Sequence, residues 1–298
     1  MRLLQARADV RVRVLPAPTQ AELARVLPEA DGVVMVMELP ALTAELLAAA
    51  PRLRVACRFG AGYDNFDLAA LTRRGIPLAT TGEANADTVA EHALYLMLAL
   101  AKRGPALDRA VKGGAWPRSF GALELRSRAC VIVGYGRIGR AVARRAAAFD
   151  MKIVVVDPYV PGTERLSDAL PSADFVVVAC ALTPRNRHLI NAAALARMKP
   201  SAYLVNVARG AIVDEQALIA ALTEGRIAGA GLDVLETEPP RPANPLLARD
   251  DVVLTPHVAA FIDTAYDRMA LACAQAALAG LDGALDPAAV VNPEVLGS

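Results

Sequence analysis

Residues 130–157 read CVIVGYGRIGRAVARRAAAFDMKIVVVD, and this stretch decides the fold of the chain. Four apolar residues, 130–133, form the short run that is typical of a strand buried on both faces of a parallel sheet. Glycines then follow at the spacing G-x-G-x-x-G, and apolar residues recur behind them at helical intervals. A second apolar run, 153–156, ends on Asp157. This order of strand, glycine turn, helix, strand and acidic residue predicts a dinucleotide-binding βαβ unit.

Each glycine of the turn has its own task in holding a dinucleotide. Gly134 permits the tight turn, Gly136 lets a pyrophosphate approach the backbone, and Gly139 lets the helix lie close to the strand. The first helical turn contains Arg137 and Ile138. Its backbone N–H groups and the positive end of the helix dipole would face the phosphates.

The acidic residue after the second strand indicates which dinucleotide is bound. The Asp157 carboxylate would accept hydrogen bonds from both ribose hydroxyls and would repel a 2′-phosphate. The sequence therefore predicts NAD rather than NADP as the cofactor. A lone G-x-G-x-x-G is often only a loop, but here it stands between a strand and a helix, as the motif requires.

The composition argues against several classes of function. A chain of 298 residues is long enough for two domains. The formal net charge of +1 gives no electrostatic reason to bind nucleic acid or an anionic membrane. The four cysteines lie far apart, so we expect buried thiols in a reducing cytoplasm and neither disulfides nor a metal site. The longest uncharged apolar segment, 93–101, is too short to span a bilayer, and we expect no signal peptide.

The rest of the chain alternates short strands with helices. Before residue 87 the predicted strands are 10–15, 32–36, 53–57 and 76–79. Six more are predicted later in the chain, at 130–133, 153–156, 175–179, 203–207, 229–234 and 252–255. Such alternation predicts parallel sheets with helices on both faces, which is an α/β fold.

Two long helices are predicted outside the βαβ pattern. One begins near Asp87, and the other covers about 261–281 and is long enough to return the chain to the first domain. We therefore expect a doubly wound Rossmann domain at 96–264. A smaller, flavodoxin-like α/β substrate domain would be formed by 1–95 and 265–298.

Polar residues just past strand ends are the candidates for chemistry, because ligands of such folds bind outside the carboxyl ends of the strands. Arg209, Glu238 and His257 follow three predicted strands of the cofactor domain. Reduction of a 2-keto acid needs a cation for the carboxylate and ketone, and arginine offers a two-pronged fork. It also needs an acid such as imidazole, with an ordinary pKa of about 6.5. A neighbouring carboxylate would favour the protonated ring.

Each candidate also has an ordinary structural explanation. A histidine at a strand end can cap a backbone carbonyl, Arg209 can be a surface salt-bridge partner, and Glu238 can be an exposed loop acid. Of the other histidines, we expect His92 to be a packed or surface residue and His188 a solvated or capping one. Residue types alone leave these alternatives open.

Eight motifs in order give the chain a resemblance to the D-isomer-specific 2-hydroxyacid dehydrogenase family over essentially its full length. They are GAGYDN, TVAEHAL, VGYGRIG, DPY, LTPRNRHLIN, NVARGAIVDEQAL, AGLDV followed by EP, and TPHVA. The resemblance implies an NAD-dependent oxidoreductase that transfers a hydride between nicotinamide and a small 2-hydroxy or 2-keto acid, with D stereospecificity. It also implies a homodimer.

The resemblance assigns roles to single residues of the cofactor domain. Arg209 would bind substrate, Glu238 would pair with the histidine, and His257 would be the acid/base. Asp233 would bond the nicotinamide carboxamide. The further residues that it places at the cofactor are Thr88 and Ala208.

The substrate side of the site would come from the loop after the third predicted strand. The resemblance implies that the amides of Gly60, Ala61 and Gly62 hold the substrate carboxylate, and a nest of N–H groups suits an anion. The alternative is an ordinary strand-to-helix turn. Arg58 matches an arginine that contacts phosphate in phosphoglycerate dehydrogenases, but relatives with other substrates share it. The substrate side chain therefore stays open.

Other interpretations of the resemblance also stay open. The C-terminal binding protein corepressors share this fold and retain the catalytic trio, so a nicotinamide-sensing, non-catalytic binding protein is the alternative. Formate dehydrogenase has glutamine where Glu238 stands, which argues against that activity. Residues 1–8 have a helical composition where the family has a strand and then a helix. We therefore expect the family's first strand to be missing, which implies either that the natural start lies further upstream or that the substrate domain is loosened.

Overall fold

The computed structural model describes residues 2–36, 40–81, 83–119 and 121–297. Contacts within these residues divide the chain into two compact units. The first unit is Met1–Asn85 with Phe261–Ser298, and the second is Ala86–Ala260. The boundary expected between residues 95 and 96 falls inside a helix, Ala86–Ala101, that belongs wholly to the second unit.

The first unit is built on a parallel sheet of three strands. They are β1 Gly32–Met35, β2 Val55–Arg58 and β3 Leu78–Thr80, in that order across the sheet. The helices of the unit are α1 Arg2–Gln5, α2 Gln20–Val26, α3 Ala44–Ala48, α4 Leu68–Arg73 and α11 Asp263–Leu281. Every residue of the central strand β2 is buried, as expected for a parallel strand that is covered on both faces. Gly280 of α11 lets that helix lie directly on Val55.

Residues 10–15 do not form the strand that their alternating sequence predicts. The stretch VRVRVL alternates apolar and charged side chains, which is the pattern of a half-buried strand. In the part of the chain that the structure describes, no strand pairs with it, and Val14 is 62% exposed. A strand forms only where a neighbour takes up its backbone hydrogen bonds, so the alternation alone was not sufficient.

The second unit contains a parallel sheet of six strands, and all six predicted strands are confirmed. They are β4 Ala129–Val133, β5 Lys152–Val156, β6 Phe175–Val178, β7 Tyr203–Asn206, β8 Gly229–Leu232 and β9 Val252–Leu254. The helices are α5 Ala86–Ala101, α6 Gly104–Lys112, α7 Arg137–Ala147, α8 Leu166–Ala169, α9 Ala192–Leu195 and α10 Glu215–Thr223.

The order of these strands is β5-β4-β6-β7-β8-β9. The chain leaves β4 toward β5 on one side and returns to β6 on the other side, so the strand order reverses next to β4. In open α/β sheets the crevice at such a reversal is where ligands bind. The turn that follows β4 is the predicted glycine turn, and the topology therefore places it at the expected binding crevice.

Two apolar layers cover the faces of this sheet. Helices α5 and α7 pack on one face, and α8, α9 and α10 cover the other. Helix α5 is buried along most of its length, as its nearly uniform apolar composition predicts. It packs closely because a side chain on Gly231 of β8 would overlap Leu96 of α5. Among the described residues, no helix is long and apolar enough to cross a membrane.

Candidate active site

The glycine turn between β4 and α7 has a geometry that fits a dinucleotide phosphate. Gly134 has a φ of +97°, and a Cβ there would overlap the backbone of Cys180. A Cβ on Gly139 would overlap the carbonyl oxygen of Gly134, so α7 approaches β4 only because Gly139 has no side chain. Gly136 has open space where a Cβ would stand, and no side chain caps the helix at this residue. An uncapped helix N-terminus beside open backbone suits an anion.

Asp157 stands at the end of β5, and its carboxylate is turned toward the glycine turn. Oδ2 accepts a hydrogen bond from the amide of Tyr135 at 2.7 Å, and Oδ1 accepts one from the amide of Tyr159 at 2.9 Å. A cavity of about 320 Å³ lies beside Tyr135 and β5. The end of this second strand is where the ribose of a dinucleotide meets an acidic residue in such folds. The residues present therefore fit the group that the sequence predicts.

Glu238 and His257 form a hydrogen-bonded pair. His257 Nδ1 lies 2.7 Å from Glu238 Oε2, while Glu238 Oε1 accepts a hydrogen bond from the amide of Leu235 at 3.0 Å. The His257 side chain is 30% exposed and the Glu238 side chain 36%, so both reach solvent. Because Nδ1 is held by the carboxylate, Nε2 is the ring atom that remains to exchange a proton with a ligand.

The surroundings of Glu238 keep its carboxylate ionised. Partial burial raises the pKa of Glu238, but the hydrogen bond and charge of His257 lower it, as do the amide of Leu235 and the charge of Arg209. The net effect is a pKa below the ordinary value of 4.5. An ionised carboxylate therefore faces His257 Nδ1 throughout the neutral pH range.

Arg209 lies in a loop that Asn206 holds at the end of β7. The buried Asn206 amide donates a hydrogen bond to the Arg209 carbonyl at 2.9 Å, and its oxygen accepts one from the Ala208 amide at 3.0 Å. The Arg209 charge reaches Glu238, since it contributes to the low pKa of that residue. The structure thus brings Arg209, Glu238 and His257 together, past the carboxyl ends of three neighbouring strands. Asn206 stands in the motif NVARG, but the motif does not predict that its side chain holds this loop.

Asp233 organises the loop that carries His257. The buried carboxylate accepts hydrogen bonds from the amides of Val258 at 2.9 Å and Ala259 at 3.0 Å. The Asp233 carbonyl accepts a third from the His257 amide at 2.8 Å. His257 has a φ of +56°, in the left-handed region that few side chains adopt. Bonds from one buried residue therefore hold the candidate acid/base in an unusual backbone conformation.

His92 belongs to the same network, which sequence analysis did not foresee. The Thr255 hydroxyl donates to Asp233 Oδ1 at 2.6 Å, so it must accept from His92 Nε2–H, 2.8 Å away. Burial lowers the pKa of His92, and the charge of Asp233 offsets only part of this effect. His92 is therefore a neutral donor at neutral pH. The three side chains come from three separate elements, so no sequence spacing reveals the network.

The remaining cofactor candidates also lie in the second unit. Thr88 is buried in the first turn of α5, and Ala208 lies two residues after the end of β7. Both stand at the end of an element, as residues around a ligand in this fold do. Among the described residues, no group of three or more His, Cys, Asp or Glu side chains is placed to hold a metal ion.

In the first unit, Arg58 supports the loop that contains Gly60–Gly62. Arg58 is only 7% exposed, and its Nε donates a hydrogen bond to the Gly62 carbonyl at 2.8 Å. The Gly60 amide already donates to Thr81 Oγ1 at 2.8 Å. Within the described part of the chain, the amides of Ala61 and Gly62 donate no hydrogen bond. These two amides, rather than that of Gly60, are available to an anion.

Asn85 is a second residue that sequence analysis missed. Its side chain is buried, and among the described residues its Oδ1 has no hydrogen-bond partner. A buried acceptor without a donor costs about 1–3 kcal/mol. Such an atom is the kind of group that a ligand donor would satisfy, but an asparagine alone carries no recognisable sequence signal.

Comparison with known proteins gives consistent results. The family model for the NAD binding domain of D-isomer specific 2-hydroxyacid dehydrogenases matches residues 94–259. A D-3-phosphoglycerate dehydrogenase of Mycobacterium bovis is 41% identical over 96% of the chain and 57% of the relative. A glyoxylate reductase of Thermofilum pendens is 38% identical over 94% of the chain and 86% of the relative. The crystal structure of Aquifex aeolicus D-lactate dehydrogenase with NAD and lactic acid has a TM-score of 0.82 at 28% identity, covering 90% of the chain and 89% of that protein. The chain thus spans little more than half the length of the mycobacterial relative.

Proposed function

Because the chain belongs to the D-isomer-specific 2-hydroxyacid dehydrogenase family, we propose that it interconverts a small D-2-hydroxy acid and its 2-keto acid. The observation that carries the proposal is the bonded pair of His257 and Glu238, with the charge of Arg209 beside it. The nicotinamide of a bound NAD would accept the hydride during oxidation, and that of NADH would donate it during reduction. The glycine turn and Asp157 would hold that cofactor.

The three residues divide the remaining work. The Arg209 guanidinium would hold the substrate carboxylate and polarise the ketone. His257 Nε2 would give a proton to the ketone oxygen during reduction and take it from the hydroxyl during oxidation. Glu238 would keep the ring charged and oriented through Nδ1. A buried, multiply bonded Asp233 supports this geometry, because it fixes the loop of His257.

For the substrate we propose a small unphosphorylated 2-keto acid such as glyoxylate or hydroxypyruvate. A glyoxylate reductase and a D-3-phosphoglycerate dehydrogenase are similarly close relatives, so identity alone does not choose between them. The Arg58 side chain supports the choice, because it is buried and bonds the Gly62 carbonyl. A guanidinium used in this way is a poor partner for a phosphate in solution.

The experiment is a panel of 2-keto acids with NADH and with NADPH. We expect turnover of glyoxylate or hydroxypyruvate with NADH, and lower kcat/KM with phosphohydroxypyruvate. Binding of NADH without turnover of any member would instead favour the nicotinamide-sensing binding protein. Preference for phosphohydroxypyruvate would leave the family activity intact and contradict only the choice of substrate.

We further propose that the chain works as a homodimer in a reducing compartment such as the cytoplasm. The apolar side chains of Val111 and Trp116 in the second unit are exposed, which supports a contact with a second copy. The four cysteines are free thiols, which supports a reducing environment. Light scattering on the purified protein tests the dimer, and a monomer at micromolar concentration would remove it.

A further inference from the structure

His188 contacts both loops that carry the candidate catalytic groups. It lies between β6 and α9, and its backbone φ is +53°. Its amide donates a hydrogen bond at 2.8 Å to the carbonyl of Ala211, two residues after Arg209. Its ring Nε2 lies 2.5 Å from Oε1 of Glu236, two residues before Glu238. One residue therefore ties the loop of Arg209 to the loop of Glu238.

These two loops pack backbone against backbone. A Cβ on Gly210 would overlap the carbonyl of Leu235, so only a glycine fits beside Arg209 at this point. The amide of Leu235 donates the hydrogen bond that fixes Glu238 Oε1. Glu236 follows Leu235 directly in the chain. A movement of the Glu236 side chain therefore displaces the Leu235 amide, which holds the Glu238 carboxylate.

The Glu236 carboxylate is an anchor with several partners. Oε1 accepts from the His188 ring and, at 3.2 Å, from Arg187 Nη2. Oε2 accepts from the Glu215 amide at 3.4 Å, and the Glu236 amide donates to the Glu215 carboxylate at 3.0 Å. On its other side, His188 Nδ1 stands 4.0 Å from Asp214. We define residues 234–238 as the acid loop. The His188 ring thus lies between two carboxylates, that of Asp214 at the start of α10 and that of Glu236 in the acid loop.

We propose that His188 is a positioning residue for the reaction, acting through Glu236 on the acid loop. Its ring holds the loop where Glu238 meets His257, while its backbone holds the loop of Arg209. The proposal rests on the proposed function only in the role given to His257. His188 occupies a left-handed conformation that glycine or asparagine adopts more easily, and the ring contact explains why a histidine is useful there. The sequence alone predicts only a solvated or capping role for His188.

The first test is a titration that needs no substrate. The chain has three histidines, so selective ¹⁵N-histidine labelling gives few ring signals, which single substitutions assign. His188→Asn keeps the backbone conformation but is too short to reach Glu236. We expect the titration midpoint of the His257 signal to move to lower pH, on the order of half a unit, because Glu238 is the acid facing Nδ1 and would be held less firmly. Arg185→Gln, in the same exposed segment, should leave the midpoint unchanged.

The second test uses turnover and the cofactor together. In His188→Asn we expect kcat to fall by about tenfold to a hundredfold, the range for a misplaced catalytic group. NADH affinity, measured by fluorescence titration, should stay within about twofold, since the glycine turn is untouched. Glu236→Gln should give a smaller fall, because a neutral hydrogen bond is about half as strong as a charged one. In that background, His188→Asn should add less than it does alone.

Each outcome decides the proposal. The proposal would be overturned if His188→Asn and Glu236→Gln both kept the wild-type His257 midpoint and the wild-type kcat. It would also be overturned if the effects of the two substitutions on kcat were strictly additive in the double variant. If His188→Asn fails to fold, Glu236→Gln alone decides through the same two measurements. Loss of thermal stability with an unmoved His257 midpoint would indicate a merely structural role and would also overturn it. If the wild type turns over none of the keto acids, the proposed function fails, and the titration still tests the link between His188 and His257.

Discussion

Glu238→Gln isolates the effect of a carboxylate on the candidate acid. The substitution keeps the size of the side chain and removes the charge that faces His257 Nδ1 across 2.7 Å. A hydrogen bond to a charged group contributes about 1.5–3 kcal/mol. Both side chains are about a third exposed, so solvent screening reduces this to about 1 kcal/mol. Since one pH unit corresponds to about 1.4 kcal/mol, the rate profile should move by about 0.7 unit.

The direction of this shift in the pH–rate profile follows from which protonation form of His257 is active in reduction. Reduction needs a protonated imidazole, so the pH above which kcat/KM for the keto acid declines should be lower in Glu238→Gln. The pKa of Glu238 is lower in the folded protein than its ordinary value of 4.5. The pair therefore makes its full contribution to the free energy of unfolding above pH 4.5, and this contribution is lost as the pH falls through the lowered pKa. The assay is kcat/KM for reduction between pH 5 and pH 9, with Glu224→Gln, an exposed glutamate of the same unit, as the control. An unchanged profile in Glu238→Gln would refute the pairing.

Three further predictions concern the cofactor site and the buried network. Asp157 should give NADH at least about tenfold higher kcat/KM than NADPH, and Asp157→Ser should narrow that ratio; comparable values in the wild type would contradict it. Gly139→Ala should weaken NADH binding and lower the stability measured by thermal melting by about 1–3 kcal/mol, because the added Cβ meets the Gly134 carbonyl. Gly104→Ala is the control, since its Cβ has open space and the variant should melt as the wild type does. Thr255→Val should destabilise the chain by about 1–3 kcal/mol, and Thr255→Ser should restore most of the loss. Neutral His92 makes its full contribution to the free energy of unfolding above pH 6.5, and this contribution declines as the pH falls. A free energy of unfolding that does not change with pH would therefore argue against the network.

The sequence predicted the second unit well, because its signals are local. Each of its six strands is a short apolar run, and the four central strands, β4, β6, β7 and β8, are buried at all or all but one of their residues. The glycine turn is local in part, since Gly139 is required by its contact with Gly134 in the same βαβ unit, whereas Gly134 is required by Cys180 beyond β6. The strand predicted at 10–15 was wrong for the opposite reason. Its alternation is genuine, but a strand depends on a partner elsewhere in the chain, and pairing leaves no mark in the stretch itself.

The candidate site divides in the same way. Arg209, Glu238 and His257 stand just past strand ends, so the topology of a parallel sheet was enough to suggest that they converge. The roles of His92 and His188 depend on contacts between elements that lie far apart in sequence. The motifs TVAEHAL and LTPRNRHLIN contain these two histidines, but a motif does not show which distant side chains they contact. Buried hydrogen-bond networks therefore had to be found in the structure.

The central claim is that His257 moves a proton during interconversion of a 2-keto acid and a D-2-hydroxy acid. Single-turnover reduction of glyoxylate or hydroxypyruvate, with the wild type and His257→Asn at saturating NADH, tests it most directly. We expect NADH oxidation by the wild type and a rate lower by about 10²–10⁴ in His257→Asn, with the NADH dissociation constant unchanged. Equal rates in the two proteins, or no NADH oxidation by the wild type with any 2-keto acid, would contradict the claim.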